Sequence, residues 1–146
     1  MSATEKSAIA TELLDRALRM YYEGDSYFAA LHLAGAAEEV LAVYVARYGG
    51  TSSFDSLRDA SVLLSKYLDN DGIESNPNDI ACLINRAKNA TKHMYGKKDT
   101  EVDFDVQSEA KAMLDLAVSN YYYLASFIDL PETNLLQRFN TELRKA

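Results

Sequence analysis

The sequence predicts an all-α protein, an up-and-down helical bundle of five long helices plus a short C-terminal helix. Two prolines and six glycines in 146 residues leave too few turn residues for a protein of many short strands. Hydrophobic residues make up 48 % of the chain and recur at the three- to four-residue spacing of amphipathic helices. A chain of this length can bury an ordinary core, so residues 1–146 are expected to form a single domain.

The first two helices follow from their capping residues and apolar spacing. Ser2 and Glu5 have the spacing of a capping box, in which the two side chains accept hydrogen bonds from free backbone N–H groups. A first helix is therefore predicted over about residues 3–23 and a second over about 26–48. The second is apolar almost all round, which is typical of a helix at the centre of a bundle. Its small residues 34–37 would let a neighbouring backbone approach closely.

Later helix starts are marked by the same kind of signal. Ser52 is a capping residue, and Asn76 places an N-cap before Pro77 at the first helical position. Pro131 can start a tail helix in the same way. These signals predict helices over about residues 52–69, 77–96, 106–129 and 131–144, with a polar loop at 97–105.

The residue inventory excludes several kinds of site. Cys82 is the only cysteine, which excludes an intrachain disulfide and a Cys-based metal site and fits a reducing, cytoplasmic compartment. Neither histidine, His32 or His93, follows a glutamate by three residues, as a carboxylate-bridged di-metal bundle requires. A phosphate-cradling Gly-rich loop is also missing from the sequence. We therefore expect neither a metal nor a cofactor.

Charge placement argues against export and against a membrane. The first twenty residues contain Glu5, Glu12 and Asp15 where a signal peptide keeps an uninterrupted apolar stretch. The most apolar segment, residues 27–45, contains a histidine and the pair Glu38-Glu39, which disfavours a membrane-spanning helix.

One segment of the acidic chain is basic. Residues 80–98, here called the basic segment, carry five cations, a histidine and no acid: Arg86, Lys88, Lys92, His93, Lys97 and Lys98. With +5 in this segment and −7 overall, the rest of the chain carries −12. A broad nucleic-acid interface is therefore disfavoured, whereas a small phosphate-sized site on the fourth helix is not.

The fourth helix has two polar flanks beside its apolar stripe. At about 100° per residue, Arg86, Asn89 and His93 share one flank, and Arg86 and His93 lie only about 20° apart. A guanidinium can clamp phosphate oxygens and an imidazole can exchange protons near neutral pH. The other interpretation is a solvated basic face near a helix C-terminus.

Three further features have a functional and a structural interpretation. His32 and Glu39 share a face of the second helix and form either a polar pocket against the fourth helix or a satisfied core network. The run at residues 121–123, three tyrosines, offers base stacking or core packing. The acidic loop at 99–105 either clasps the basic segment and closes a cleft or is simply solvated.

Residues 84–94 (INRAKNATKHM), together with residues 29–41 and 109–124, resemble small bacterial members of the HEPN superfamily of helical nucleotide-binding domains. The family signature is an Arg, usually followed directly by Asn, Asp or His, with a His after four to six intervening residues. Arg86 and His93 have this spacing, but Ala87 follows the Arg. A second register, from Lys88 through Asn89 to His93, keeps the Asn but replaces the Arg by Lys.

The resemblance implies a homodimer in which two such motifs line one cleft. It also implies that His93 exchanges protons, Arg86 stabilises charge on phosphorus and Asn89 orients the phosphate, while Lys88, Lys92 and Lys97 bind phosphate or nucleotide. Many family members bind nucleotides, RNA or partner proteins without catalysis, and active members cut RNA without a metal. The expected function is thus a nucleotide-, RNA- or partner-binding helical dimer, with a metal-independent endoribonuclease of a toxin or defence type as the alternative.

Overall fold

The computed structural model describes residues 2–68 and 72–145. In these residues all regular structure is α-helical, as the composition predicts, but the helices number seven rather than six. They are α1 (Lys6–Glu23), α2 (Tyr27–Arg47), α3 (Ser53–Leu68), α4 (Pro77–Ile84), α5 (Arg86–Lys92), α6 (Val106–Ala125) and α7 (Asn134–Lys145).

Helix α2 is the central helix and packs against both α1 and α6. This position accounts for much of its apolar composition, since α1, α5 and α6 all contact it. Among the described helices, only α2 is long and apolar enough to cross a membrane by composition. Its buried side chains include Leu31, Leu41 and Val45, which lie in one core with Leu14 of α1 and Leu114 of α6.

Helix α7 closes the core against α1 and α6. The ring of Phe139 is buried edge-on to Tyr21 and Tyr22, with centroids 6.1 and 6.5 Å apart. The helix starts at Asn134, so the prediction that it starts at Pro131 is wrong. Thr133 is the capping residue instead, because its hydroxyl accepts a hydrogen bond of 3.2 Å from the Leu136 N–H.

Of the other predicted helix caps, two are confirmed and one does not form. Asn76 accepts a 2.8 Å hydrogen bond from the Asn78 N–H, and Ser52 accepts one of 3.1 Å from the Asp55 N–H, so both predicted caps are confirmed. The predicted capping box at residues 2–5 does not form among the described residues, and α1 begins at Lys6. The first buried residue of α1 is Ala10, so tertiary packing does not hold an earlier turn.

Two predicted helix ends also differ from the structure. Helix α6 ends at Ala125 rather than 129, because the chain tightens into three-residue turns after it. Tyr121 helps to fix this turn by donating a 2.5 Å hydrogen bond to the carbonyl of Pro131. The predicted end of the third helix, at about residue 69, lies outside the described residues.

The predicted fourth helix is divided into α4 and α5 at Asn85, whose φ of −89° and ψ of 1° interrupt the helical path. The prediction of one continuous helix to residue 95 or 96 is therefore wrong. Helix α4 packs against α3, whereas α5 packs against α2. The chain bends at Asn85 because its two halves have different packing partners. Helix α5 ends at Lys92, and His93 is already extended, with φ −130° and ψ 146°.

Candidate functional site

Two polar contacts fix α5 on α2. His32 Nε2 lies 2.6 Å from Thr91 Oγ1, and Lys88 Nζ donates to Glu39 Oε1 at 2.5 Å. The order of the partners is reversed along the two helices, so α5 runs antiparallel to α2. Both α2 residues that were predicted to share a polar face therefore contact the basic segment, and each has a partner there.

Lys88 is almost completely buried, with 6 % of its side chain exposed. Its methylene chain crosses α2 at Gly35, where an added Cβ would lie 2.6 Å from Lys88 Cδ. At Gly35, within the small residues 34–37, the close approach is therefore made by a side chain. Because the ammonium group is paired with Glu39, the structure holds Lys88 in an intramolecular contact.

A cleft of about 700 Å³ lies between the N-terminus of α2, the end of α5 and the loop after it. We call it the histidine cleft because both histidines of the chain line it. Its other side chains with functional chemistry are Phe28, Thr91, Lys92, Asp99 and Glu101.

Two sources of positive potential line the histidine cleft, the N-terminus of α2 and the side chain of Lys92. Phe28 and Ala29 belong to the first turn of α2, and the Ser26 side chain makes no capping hydrogen bond within the described chain. The backbone N–H groups of that turn therefore carry the positive end of a 21-residue helix without a side-chain acceptor. Lys92 adds a full charge on the opposite side. The sequence gives no direct signal of this convergence, because it depends on how α2 and α5 pack.

The pKa of His32 is lowered by its burial and, to a smaller extent, by the positive charges of Lys92 and Lys88. His32 is therefore neutral at pH 7, with one ring nitrogen against Thr91. His93, in contrast, is exposed and lies beside the ring of Tyr95 at 5.7 Å between centroids.

The acidic loop forms the other wall of the histidine cleft. Asp99 Oδ2 accepts a 2.8 Å hydrogen bond from the Tyr95 N–H, which turns the loop back towards the basic segment. Asp99 and Glu101 line the cleft together with Lys92 and His93, but in the described residues no ion pair joins the two groups. The loop thus borders the cleft rather than filling it.

The remaining predicted residues lie elsewhere. Arg86 is exposed, Asn89 is partly buried and Lys97 is exposed, and none of the three lines the histidine cleft. Arg86 and His93 were expected side by side on one helix; they stand at the two ends of α5, where Arg86 is the first residue and His93 the C-cap, and only His93 lines the histidine cleft. The three tyrosines of α6 make intrachain contacts: Tyr121 to Pro131, Tyr122 to Glu132 and Tyr123 to Tyr48.

A second cleft, of about 390 Å³, was not predicted. We call it the carboxylate groove, because Glu38, Glu39 and Asp55 line it together with Lys88 and Asn85. Glu38 is 3 % exposed, and its Oε1 atom has no hydrogen-bond partner among the described residues. Burial raises the pKa of Glu38 to about 7, with Lys88 opposing the shift and Glu39 and Asp55 adding to it. The sequence feature that could have indicated this cleft is the pair Glu38-Glu39 in an otherwise apolar helix.

Glu38 makes the stability of the fold depend on pH in a direction opposite to that of a salt-bridged acid. Its pKa is about 7 when folded and near 4.5 when unfolded, so its contribution is fully present below pH 4.5 and is lost as the pH rises to about 7. We expect the wild type to lose up to roughly 3 kcal/mol relative to Glu38→Gln between pH 4.5 and 7.5. Urea denaturation of both proteins across this range measures the difference, and parallel curves would contradict the assignment.

Within the described residues, no group of three or more His, Cys, Asp or Glu side chains is arranged to hold a metal ion. Comparison with protein-family models, with curated proteins and with solved structures gave no match. The functional argument therefore rests on the two clefts and on the sequence resemblance.

Proposed function

We propose that this chain is a HEPN-like helical module that binds a nucleotide or RNA phosphate in the histidine cleft and acts in the cytoplasm as a homodimer, with weak or no catalysis. The observation that carries the proposal is the convergence of the uncapped α2 N-terminus, Lys92 and both histidines on one cleft. Free backbone N–H groups at a helix start, together with a cation, are a general means of binding phosphate.

Phe28 supports a ligand with an aromatic base. Its ring is 47 % exposed at the edge of the histidine cleft and is held edge-to-face by Phe104, with 6.2 Å between centroids. Stacking of a base on an aromatic ring contributes about 1–3 kcal/mol. A nucleotide could thus place its base on Phe28 and its phosphate between the α2 N-terminus and Lys92.

The acidic wall limits the charge of the ligand. Asp99 and Glu101 repel a polyanion, and the chain outside the basic segment carries −12. One phosphate at the α2 side of the histidine cleft is compatible with this field, whereas a long stretch of duplex is not. The proposed ligand is therefore a mononucleotide or a short single-stranded RNA.

Loss of the Lys92 charge should weaken binding. We expect Lys92→Ala to reduce the affinity for a mononucleotide by tenfold or more, since a hydrogen bond to a charged group contributes about 1.5–3 kcal/mol. Lys98→Ala is the matched control, because Lys98 is exposed in the same basic segment but does not line the histidine cleft. Isothermal titration at low salt measures both. Equal losses in the two variants would indicate nonspecific attraction, and no binding by the wild type would refute the proposed function.

The homodimer is supported by apolar side chains that α3 and α4 leave exposed, among them Leu64, Leu68 and Leu83. A second copy of the chain that covers them would bury surface that a monomer exposes to water. We expect a dimer mass by light scattering and a shift towards monomer in Leu64→Ser. Phe127→Ser, which changes an exposed aromatic residue after the end of α6 that belongs to neither α3 nor α4, should remain dimeric. A monomeric wild type would contradict this part of the proposal.

The second candidate function is metal-independent RNA cleavage, favoured by the presence of two imidazoles in one cleft. In such a reaction one neutral imidazole takes the proton of the ribose 2′-hydroxyl, and a protonated one gives a proton to the leaving 5′-oxygen. Cleavage that is abolished in His93→Ala would support an enzyme. Cleavage that persists in this variant would exclude His93 from the chemistry.

A further inference from the structure

We propose that the carboxylate groove binds small organic amines, with the ammonium group against Glu38 and the hydrocarbon part along the apolar wall. This second site is independent of the histidine cleft. It is built by α2, by the start of α3 and by the junction of α4 and α5, so it lies on the other side of Lys88 from His32.

The charges around the carboxylate groove leave one carboxyl group without a partner. Glu39 is paired with Lys88 at 2.5 Å, and Asp55 is paired with Arg58 at 3.0 Å. Glu38 is buried, and its Oε1 atom has no donor among the described residues. An unpaired buried acceptor costs about 1–3 kcal/mol, and more if it is charged. A ligand that places a positive charge against the Glu38 carboxyl group in the groove lowers this cost.

The apolar side chains of the carboxylate groove favour an organic cation over an inorganic one. Ala42, Val43 and Ala46 from α2 and Phe54 from α3 line it with hydrocarbon. At about 390 Å³ the groove falls within the range of small-molecule sites. An inorganic cation would leave this wall unused, whereas an alkylammonium fills it, and the Phe54 ring can also attract the charge. Anions are disfavoured because the one lining cation, Lys88, is already paired.

The protonation of Glu38 links amine binding to pH. The groups that face it are Lys88 from α5, Glu39 beside it on α2 and Asp55 from α3. Because burial holds the Glu38 pKa near 7, an ammonium ion must displace a proton from the carboxyl group at lower pH. Affinity for an amine should therefore rise about tenfold between pH 6 and pH 8, a range in which an alkylamine stays protonated.

The test is titration of the wild-type chain with pentylamine, followed by NMR chemical shifts, with pentan-1-ol as the neutral probe. We expect pentylamine to bind at pH 8, to bind about tenfold more weakly at pH 6, and to bind at least tenfold more weakly to Glu38→Gln. Glu12→Gln is the matched control, because Glu12 is exposed on α1 and lines neither cleft. Equal binding of pentan-1-ol, or unchanged affinity in Glu38→Gln, would overturn the proposal, and the wild-type pH series tests it without any variant.

Lys88→Met is expected to increase the affinity for amines, whereas Glu38→Gln is expected to decrease it. Lys88→Met removes the like charge next to the proposed ammonium position and keeps an unbranched chain over Gly35. Because the loss of Lys88 also raises the pKa of Glu38, the comparison is made at pH 9.5, where an alkylamine is still mostly protonated. Pentylamine should bind this variant more tightly there, whereas weaker binding would show that the groove recognises an anion instead. Lys92→Ala should leave amine binding unchanged, so failure at this site and failure of nucleotide binding are distinguishable.

Discussion

Phe139→Ala is expected to lower the free energy of unfolding by about 3–5 kcal/mol, the usual cost of removing a buried phenylalanine ring. Phe139 is 2 % exposed and packs edge-on against Tyr21 and Tyr22 of α1. In the described chain, Leu136 and Phe139 are the buried residues of α7. The attachment of the helix therefore depends strongly on this ring.

Urea denaturation followed by circular dichroism measures this loss. Phe127→Ala is the matched control, because it deletes the same ring at a position that is 52 % exposed. Its loss should stay below about 1 kcal/mol, although the ring stacks on Tyr48. Similar losses in both variants would mean that α7 is not held by its buried face.

The attachment of α7 also has a polar component. Tyr22 donates a 2.7 Å hydrogen bond to Glu142, and Arg138 lies 3.7 Å from the centre of the Tyr22 ring. These contacts are exposed, and such contacts contribute little each. They help to orient the helix, whereas the buried side chains of Leu136 and Phe139 supply most of the free energy.

Capping residues predicted helix starts correctly where both partners of the capping hydrogen bond lie close together in the sequence. Asn76 and Ser52 cap through their own neighbours two or three residues away, so the sequence contains both partners. The box at Ser2 and Glu5 has equally good spacing but is not formed, because a first turn with nothing packed on it gains too little to order the chain. Capping signals therefore need tertiary support.

The candidate site was predicted only where the helix concerned is continuous. His32 and Glu39 lie on one face of α2, as the spacing indicates, and both contact α5. Arg86 and His93 were expected on one helix continuous from residue 77, but that helix is interrupted at Asn85 and ends at Lys92, and only His93 lines the histidine cleft. Helical spacing alone does not contain that information.

Burial of charge was the least predictable feature. Lys88 was expected to bind phosphate or to lie on a solvated basic face, yet Gly35 opens a path for its chain across α2. Glu38 and Glu39 are adjacent and therefore point about 100° apart, so only one of them can face solvent beside Lys88. Glu39 is 61 % exposed at its side chain, and Glu38 is left inside with an unpaired oxygen.

The identity of the charge at position 88 should consequently have a large effect on stability. Lys88→Glu places a carboxylate in a buried position that faces Glu38 and Glu39, and we expect it to cost at least about 3 kcal/mol. Lys88→Met is the matched control: it keeps the chain over Gly35 and leaves Glu39 hydrated, so its cost should stay below about 1.5 kcal/mol. Urea denaturation at pH 6 compares the two, because above the Glu38 pKa of about 7 Lys88→Met would also leave the buried Glu38 carboxylate without its opposing charge. If Lys88→Met were as destabilising as Lys88→Glu, the ion pair itself would hold α5 on α2; a small loss in both would mean that position 88 reaches solvent.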